Sequence, residues 1–218
     1  MHAPNANANA NADVAAAVDQ LVRSRRSVRS FRPDPVDLLD VTRIVELTTM
    51  TPSAWNLQPW RFVVVADPAT RLELQAAAFG QKQVGEAPVV VALYCDMVAA
   101  LDRVDAALHP SMPADARAGY KANILNTFAA MPAEARDAWG TAQGNIALGY
   151  LLLLLEVHGY ATSPMLGVHP PEVRRILGLP AHATIPALVA VGHAAGEPPG
   201  PPHRFPPADL IRHVPAAS

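Results

Sequence analysis

Thr51-Pro52-Ser53-Ala54-Trp55-Asn56-Leu57-Gln58-Pro59-Trp60-Arg61-Phe62 runs without interruption into Val63-Val64-Val65. Proline restricts the backbone at both ends of this stretch. Between the prolines, a hydroxyl and two amide side chains stand beside large aromatic faces, an arrangement suited to a pocket for a planar ligand with polar edges. The alternative is a turn whose Ser53 and Asn56 bond only their own backbone. On either reading a rigid polar loop feeds a buried strand, Arg61 to Ala66.

Downstream, Asp67-Pro68 is a helix start, and the amphipathic pattern continues to about Phe79. Gly80 to Gly85 is a loop rich in amide side chains, and Pro88 to Cys95 is a second, wholly apolar strand. Residues 96–137 read as one or two helices broken at His109 to Pro113 and at Met131-Pro132, a helical insertion covering the domain. A long helix from Trp139 to His158 is apolar on nearly every side and must be surrounded, in the domain centre or in a subunit interface. Gly159 suits its C-cap. The segment Ala161 to Gly167, a short helix from Pro170 to Gly178 and a third strand from Thr184 to His193 follow. A proline- and glycine-rich arm from about residue 196 has no core of its own to build and either dangles or wraps another surface.

Upstream, Asp37 to Met50 and Asp13 to Ser24 carry helical periodicity, with Asp13 as N-cap. Residues 1–12 form an Asn/Ala leader without the apolar core of a secretory signal, and are expected to be disordered. Between the two helices stands Arg25-Arg26-Ser27-Val28-Arg29-Ser30-Phe31-Arg32, four arginines in eight residues. It reads equally as a solvated patch favoured by a helix C-terminus and as an anion cradle of guanidinium forks and hydroxyls.

The succession of elements predicts an α+β domain over residues 13–218, with helices packed on a mixed sheet of four or five strands. Half of the 218 residues are apolar, enough for a full core, and the net charge of -2 leaves no footprint for nucleic acid or anionic membrane. The apolar run Ile146 to Val157 is too short to span a bilayer and contains Glu156. Cys95, the single cysteine, reads as a core thiol in a reducing cytoplasm. Glycine-rich nucleotide turns, the nucleophile elbow and histidine or cysteine clusters with metal spacing are all missing from the sequence.

Five blocks in order resemble the nitroreductase family of FMN-dependent oxidoreductases: Arg25-Arg26-Ser27-Val28-Arg29, Pro52 to Trp60, Gln81-Lys82-Gln83-Val84 before Ala87 to Val91, Pro164-Met165-Leu166-Gly167, and Gly192-His193 with Arg204-Phe205-Pro206. The resemblance covers about residues 18 to 210. It implies a homodimer with two FMN sites built from both chains and an exchanged C-terminal arm. Arg25, Arg26, Ser27 and Arg204 would hold the phosphate, and Arg29 and Gln83 the pyrimidine edge. Pro164, Leu166 and Gly167 would lie near the ring, and Pro52, Ser53, Asn56 and Gln58 would come from the other subunit. Many relatives carry glutamate where Leu166 stands, and lysine where Pro202 stands. The implied reaction passes a hydride from NADH or NADPH to an electron-poor small molecule such as a nitroaromatic or quinone, with no side chain as catalytic acid and no metal. A non-catalytic flavin-binding dimer and an oxygen-dependent or specialised reductive flavoenzyme are the alternatives.

Overall fold

The computed structural model describes residues 6–197 and 200–214. In chain order the elements are α1 (Ala6–Ser24), α2 (Leu38–Thr48), β1 (Trp60–Val65), α3 (Pro68–Ala77), α4 (Lys82–Glu86), β2 (Val89–Cys95), α5 (Met97–Asp102) and α6 (Val104–Ala107). Then follow α7 (Ala114–Ala129), α8 (Ala133–Val157), β3 (Ala161–Met165), α9 (Pro170–Leu177), β4 (Thr184–Gly192) and α10 (Pro207–Leu210).

Helix starts follow local chemistry. The Asp37 carboxylate accepts from the Leu39 amide at 2.9 Å, and Asp67 from that of Thr70 at 2.8 Å, with Pro68 in the first turn of α3. Helix α1 begins upstream of Asp13, which is therefore interior to the helix and not its cap. Alanine-rich sequence favours helix strongly enough to carry it back through residues 6–12 of the expected leader. The rest of that leader, residues 1–5, lies outside the described residues, as do 198, 199 and 215–218 of the arm.

The four strands form one sheet in the order β1-β2-β4-β3, and every neighbouring pair is antiparallel. The expected mixed sheet is corrected in this respect: among the described residues, parallel pairing is confined to an isolated bridge between Ser27 and Thr162. Helices α3 and α4, between β1 and β2, and α9, between β3 and β4, each return the chain in the reversed direction. The strand β3 within Ala161 to Gly167 went unassigned from sequence. It tolerates Pro164 because it is an edge strand, where one missing N–H need not break the ladder.

Strands β2 and β4 are buried on both faces, and their side chains alternate between two cores. Val90, Ala92, Leu188 and Ala190 meet Leu74 of α3, Val84 of α4 and Val173 of α9. Val89, Val91, Leu93, Val189 and Val191 meet Val41 and Ile44 of α2 and Ala147, Leu151 and Leu155 of α8. A third core joins Leu57 to Met97, Val104, Leu108, Ile124 and Phe128, so the helical insertion packs on the Thr51 to Phe62 loop. The amide-rich loop at Gly80 to Gly85 is largely the short helix α4.

With 25 residues, α8 is the one helix among the described residues long and apolar enough to cross a bilayer. Shortness is therefore no argument against a span; instead, Gly140, Gly144, Ala147, Leu148, Leu151 and Leu155 are buried where it packs against the sheet.

Candidate functional site

The candidate site residues fall into three groups of side chains, and the first sits where β3 begins. The Val28 amide donates to the Thr162 carbonyl at 2.9 Å, and that of Arg32 to the His193 carbonyl at 2.9 Å. Val28 and Phe31 are buried anchors, so the basic stretch is pinned to the sheet corner through its two apolar residues. Arg25, Arg26 and Ser27 are half-buried while Arg29 is exposed. Arg25 and Arg26 line a cleft of about 560 Å³ with Val22, Arg23, Pro202 and Arg204, so the arm returns its arginine to the basic stretch. Ser27 and Arg29 open instead onto a neighbouring cavity of about 340 Å³ bordered by Ala194 to Glu197.

Hydrogen bonding at this corner is incomplete. Arg26 satisfies one nitrogen on the carbonyls of Arg23 and Arg25, at 2.6 and 2.9 Å. Arg25 Nη1 and Thr162 Oγ1, in contrast, are buried with no hydrogen-bond partner among the described residues. A buried charged donor without an acceptor is costly and calls for an anion or solvent. Part of the positive charge is met by Glu156, whose carboxyl burial pushes up while Arg25, Arg26 and the Ser24 hydroxyl pull it down. Glu156, the penultimate residue of α8, reads from sequence only as a break in an apolar run, with no place at the basic corner.

The second group lies along the β3 edge. Gln81 Nε2 donates to the Gly167 carbonyl at 2.9 Å, and Gln83 Nε2 reaches Gln81 Oε1 at 3.4 Å. This brings Gln83, which is buried, to the segment containing Pro164, Leu166 and Gly167. Leu166 and Gly167 are exposed. Gln81 was not among the expected site residues, although it makes the connecting bond.

The third group is the loop Pro52 to Gln58. Trp55, Asn56 and Gln58 hold left-handed backbone angles, with φ of 53°, 56° and 45°, which non-glycine residues adopt only at a cost. Ser53 Oγ accepts from the Gln58 amide at 3.0 Å, and Gln58 Nε2 donates to Asn56 Oδ1 at 2.9 Å. The backbone-only turn is thus partly realised, but the bonds serve an unusual shape. Beside it Asn56, Gln58, Arg61 and Arg103 line a small cavity of about 120 Å³. Arg61 and Arg103 carried no recognisable motif. Trp55 packs edge-on to Phe128 with centroids 5.5 Å apart and stacks on Trp139 at 6.1 Å, so it braces the loop against the insertion.

One chain does not bring all three groups together. Ser27 bridges Thr162 on edge strand β3, level with Val191 of β4 and Val89 of β2. The loop enters the opposite edge strand at Trp60, which pairs with Cys95 at the other end of β2. Six residues of strand rise and several strand spacings separate them by on the order of 25 Å. Arg25, Arg26, Ser27, Arg29, Gln83, Pro164, Leu166, Gly167 and Arg204 share one side of the molecule, while Pro52, Ser53, Asn56 and Gln58 lie at the far corner.

Residues 22–193 match the profile of the nitroreductase family. The NADH dehydrogenase of Thermus thermophilus is 54% identical over 183 residues, covering 84% of this chain and 88% of the relative. YdgI of Bacillus subtilis, provisionally assigned as an NAD(P)H nitroreductase, is 30% identical over 185 residues, covering 82% and 88% of the two chains. A protein of Exiguobacterium sibiricum, provisionally assigned as a nitroreductase and solved in complex with FMN, superposes with a TM-score of 0.81 at 26% identity, over 90% of this chain and 97% of that one.

Proposed function

Because the chain belongs to the nitroreductase family and is an NAD(P)H-dependent oxidoreductase, we propose that it works as a homodimer whose FMN passes a hydride from NADH or NADPH to an electron-poor small molecule, such as a nitroaromatic or quinone. The observation that carries this reading is the unpartnered, buried Arg25 Nη1 in a cleft shared with Arg26 and Arg204. A terminal phosphate supplies the acceptors that guanidinium groups lack there.

The residues present fit such a cofactor. Arg25, Arg26, Ser27 and Arg204 would bind its phosphate, and Arg29 and Gln83 would orient its pyrimidine edge. Pro164, Leu166 and Gly167 would wall the ring, Leu166 offering an apolar side chain where many relatives offer a carboxylate. Pro52, Ser53, Asn56 and Gln58 are too distant to serve the same cofactor within one chain and would complete the partner's site. When bound, FMN supplies the hydride acceptor and donor, while the protein supplies binding, orientation and electrostatics. No side chain is needed as nucleophile. Donor and acceptor use one site in turn, giving ping-pong kinetics.

The dimer has a surface to use. Val14, Val18 and Val22 of α1, Leu39 and Leu47 of α2, and Ile146, Tyr150 and Val157 of α8 are exposed on one helical layer, an apolar area that invites a partner. The arm adds exposed Phe205, Leu210 and Ile211 for exchange. The free, buried Cys95 suits a reducing cytoplasm.

Purified protein, reconstituted with FMN, is expected to elute as a dimer and to lose its yellow band on anaerobic addition of NADH or NADPH, then regain it with a quinone. A colourless protein that does not retain added FMN would overturn the proposal.

A further inference from the structure

We propose that Gln143 and Trp139 of α8 are positioning residues that hold the loop Ser53–Gln58 in its ligand-contacting shape. This rests on the reading that the loop contacts FMN, and extends it to residues that touch no ligand. The loop contains no glycine, yet three of its residues are left-handed. Such a shape persists only where the surroundings over-determine it.

The surroundings are supplied by the helical insertion together with α8. The Ala54 amide donates to Gln143 Oε1 at 3.0 Å, a contact across 89 positions in the chain. Asn56 Nδ2 donates to the Ala107 carbonyl at 3.0 Å. Trp55, between these two bonds, lies stacked on Trp139 with its edge neighbour Phe128, and Leu57 is buried in the same cluster. Three successive residues and Leu57 are therefore gripped by α6, α7 and α8. The loop's own bonds, Ser53 to Gln58 and Gln58 to Asn56, close it on itself but do not fix it to the sheet. Gln143 supplies only an acceptor, so the chemistry it contributes can be removed or kept at constant size.

Gln143→Leu removes the acceptor, and Gln143→Glu keeps one. Full-length protein is examined by FMN titration, followed through quenching of flavin fluorescence, and by amide hydrogen exchange at residues 53–58. Q143L is expected to weaken FMN binding about fivefold, the equilibrium worth of one hydrogen bond, and to speed exchange at Ala54 by at least as much. Q143E restores both towards wild type. Trp139→Phe retains an aromatic face and should stay close to wild type, whereas Trp139→Leu should behave as Q143L does. Wild-type exchange in Q143L overturns the proposal, including when only the melting temperature falls. If the wild-type protein itself takes up no FMN, the functional reading fails while the exchange measurement still decides the role of Gln143 and Trp139.

Discussion

Replacing Gly144 with alanine tests the contact that lets α8 lie against the sheet. A Cβ at this position would meet Cys95 Sγ at 2.5 Å and Pro186 Cγ at 3.0 Å. Neither neighbour is the free end of a flexible chain: Cys95 is buried on β2, and Pro186 is a ring on β4. Helix or sheet must therefore move, and overpacking of this kind costs about 2 kcal/mol. In a protein of this size that corresponds to a melting temperature lower by roughly 4–8 °C, measurable by calorimetry or scanning fluorimetry. Cys95→Ala removes the closer of the two obstacles at the expense of a small cavity. G144A should accordingly cost less in the C95A background than in wild type, with a coupling energy of about 1 kcal/mol. Wild-type stability in G144A, or the same loss in both backgrounds, would refute the close-approach argument.

Three other outcomes follow from the same structure. Charge reversal at Arg25 or Arg204 should weaken FMN retention by about ten- to a hundredfold, the range for a charge-assisted hydrogen bond, and unchanged affinity in both variants would refute the phosphate assignment. Burial pushes the Asp96 carboxyl up, but the Ala99 amide, His182 and Arg61 outweigh it and hold the group below its ordinary 3.8. A depressed folded value means stability that is present above the unfolded value and lost as pH falls through the folded one. The melting temperature should therefore fall as pH drops below about 4, and less steeply in Asp96→Asn. Burial also pushes the Cys95 thiol up to about 12, so little thiolate is present at pH 8, and iodoacetamide should label the chain only once it is unfolded.

Much of the fold was legible because it rests on periodicity and punctuation. Val89 to Leu93 and Ala187 to Val191 are apolar at every position, and they are the strands with a core on each face. Asp67-Pro68 and Gly178 mark helix ends where expected, the latter in a left-handed C-cap with φ of 62°. Ser163-Pro164 concealed β3, because only its edge position makes proline tolerable, and position in a sheet is not a local property. The insertion looked uninformative for a related reason. Val104, Leu108, Ile124 and Phe128 face one another and Leu57 across long sequence gaps, so no window along the chain shows the cluster. At the candidate site, charge and motif order point to Arg25, Ser27, Gln83 and Arg204. Glu156, Gln81 and Gln143 enter through single contacts with distant backbone or charge, and the left-handed angles at Trp55, Asn56 and Gln58 leave no compositional mark.

The separation of the basic corner from the Ser53–Gln58 loop has a consequence in genetics. If each site borrows its loop from the other copy, a chain damaged only at Arg25 and a chain damaged only in the loop are each inactive alone, yet together can make an intact site. Random pairing makes half of the dimers mixed, and each mixed dimer joins one sound corner to one sound loop, restoring about one quarter of the sites. Two defective alleles co-expressed in one cell would complement each other, as two lesions confined to a site within a single chain could not.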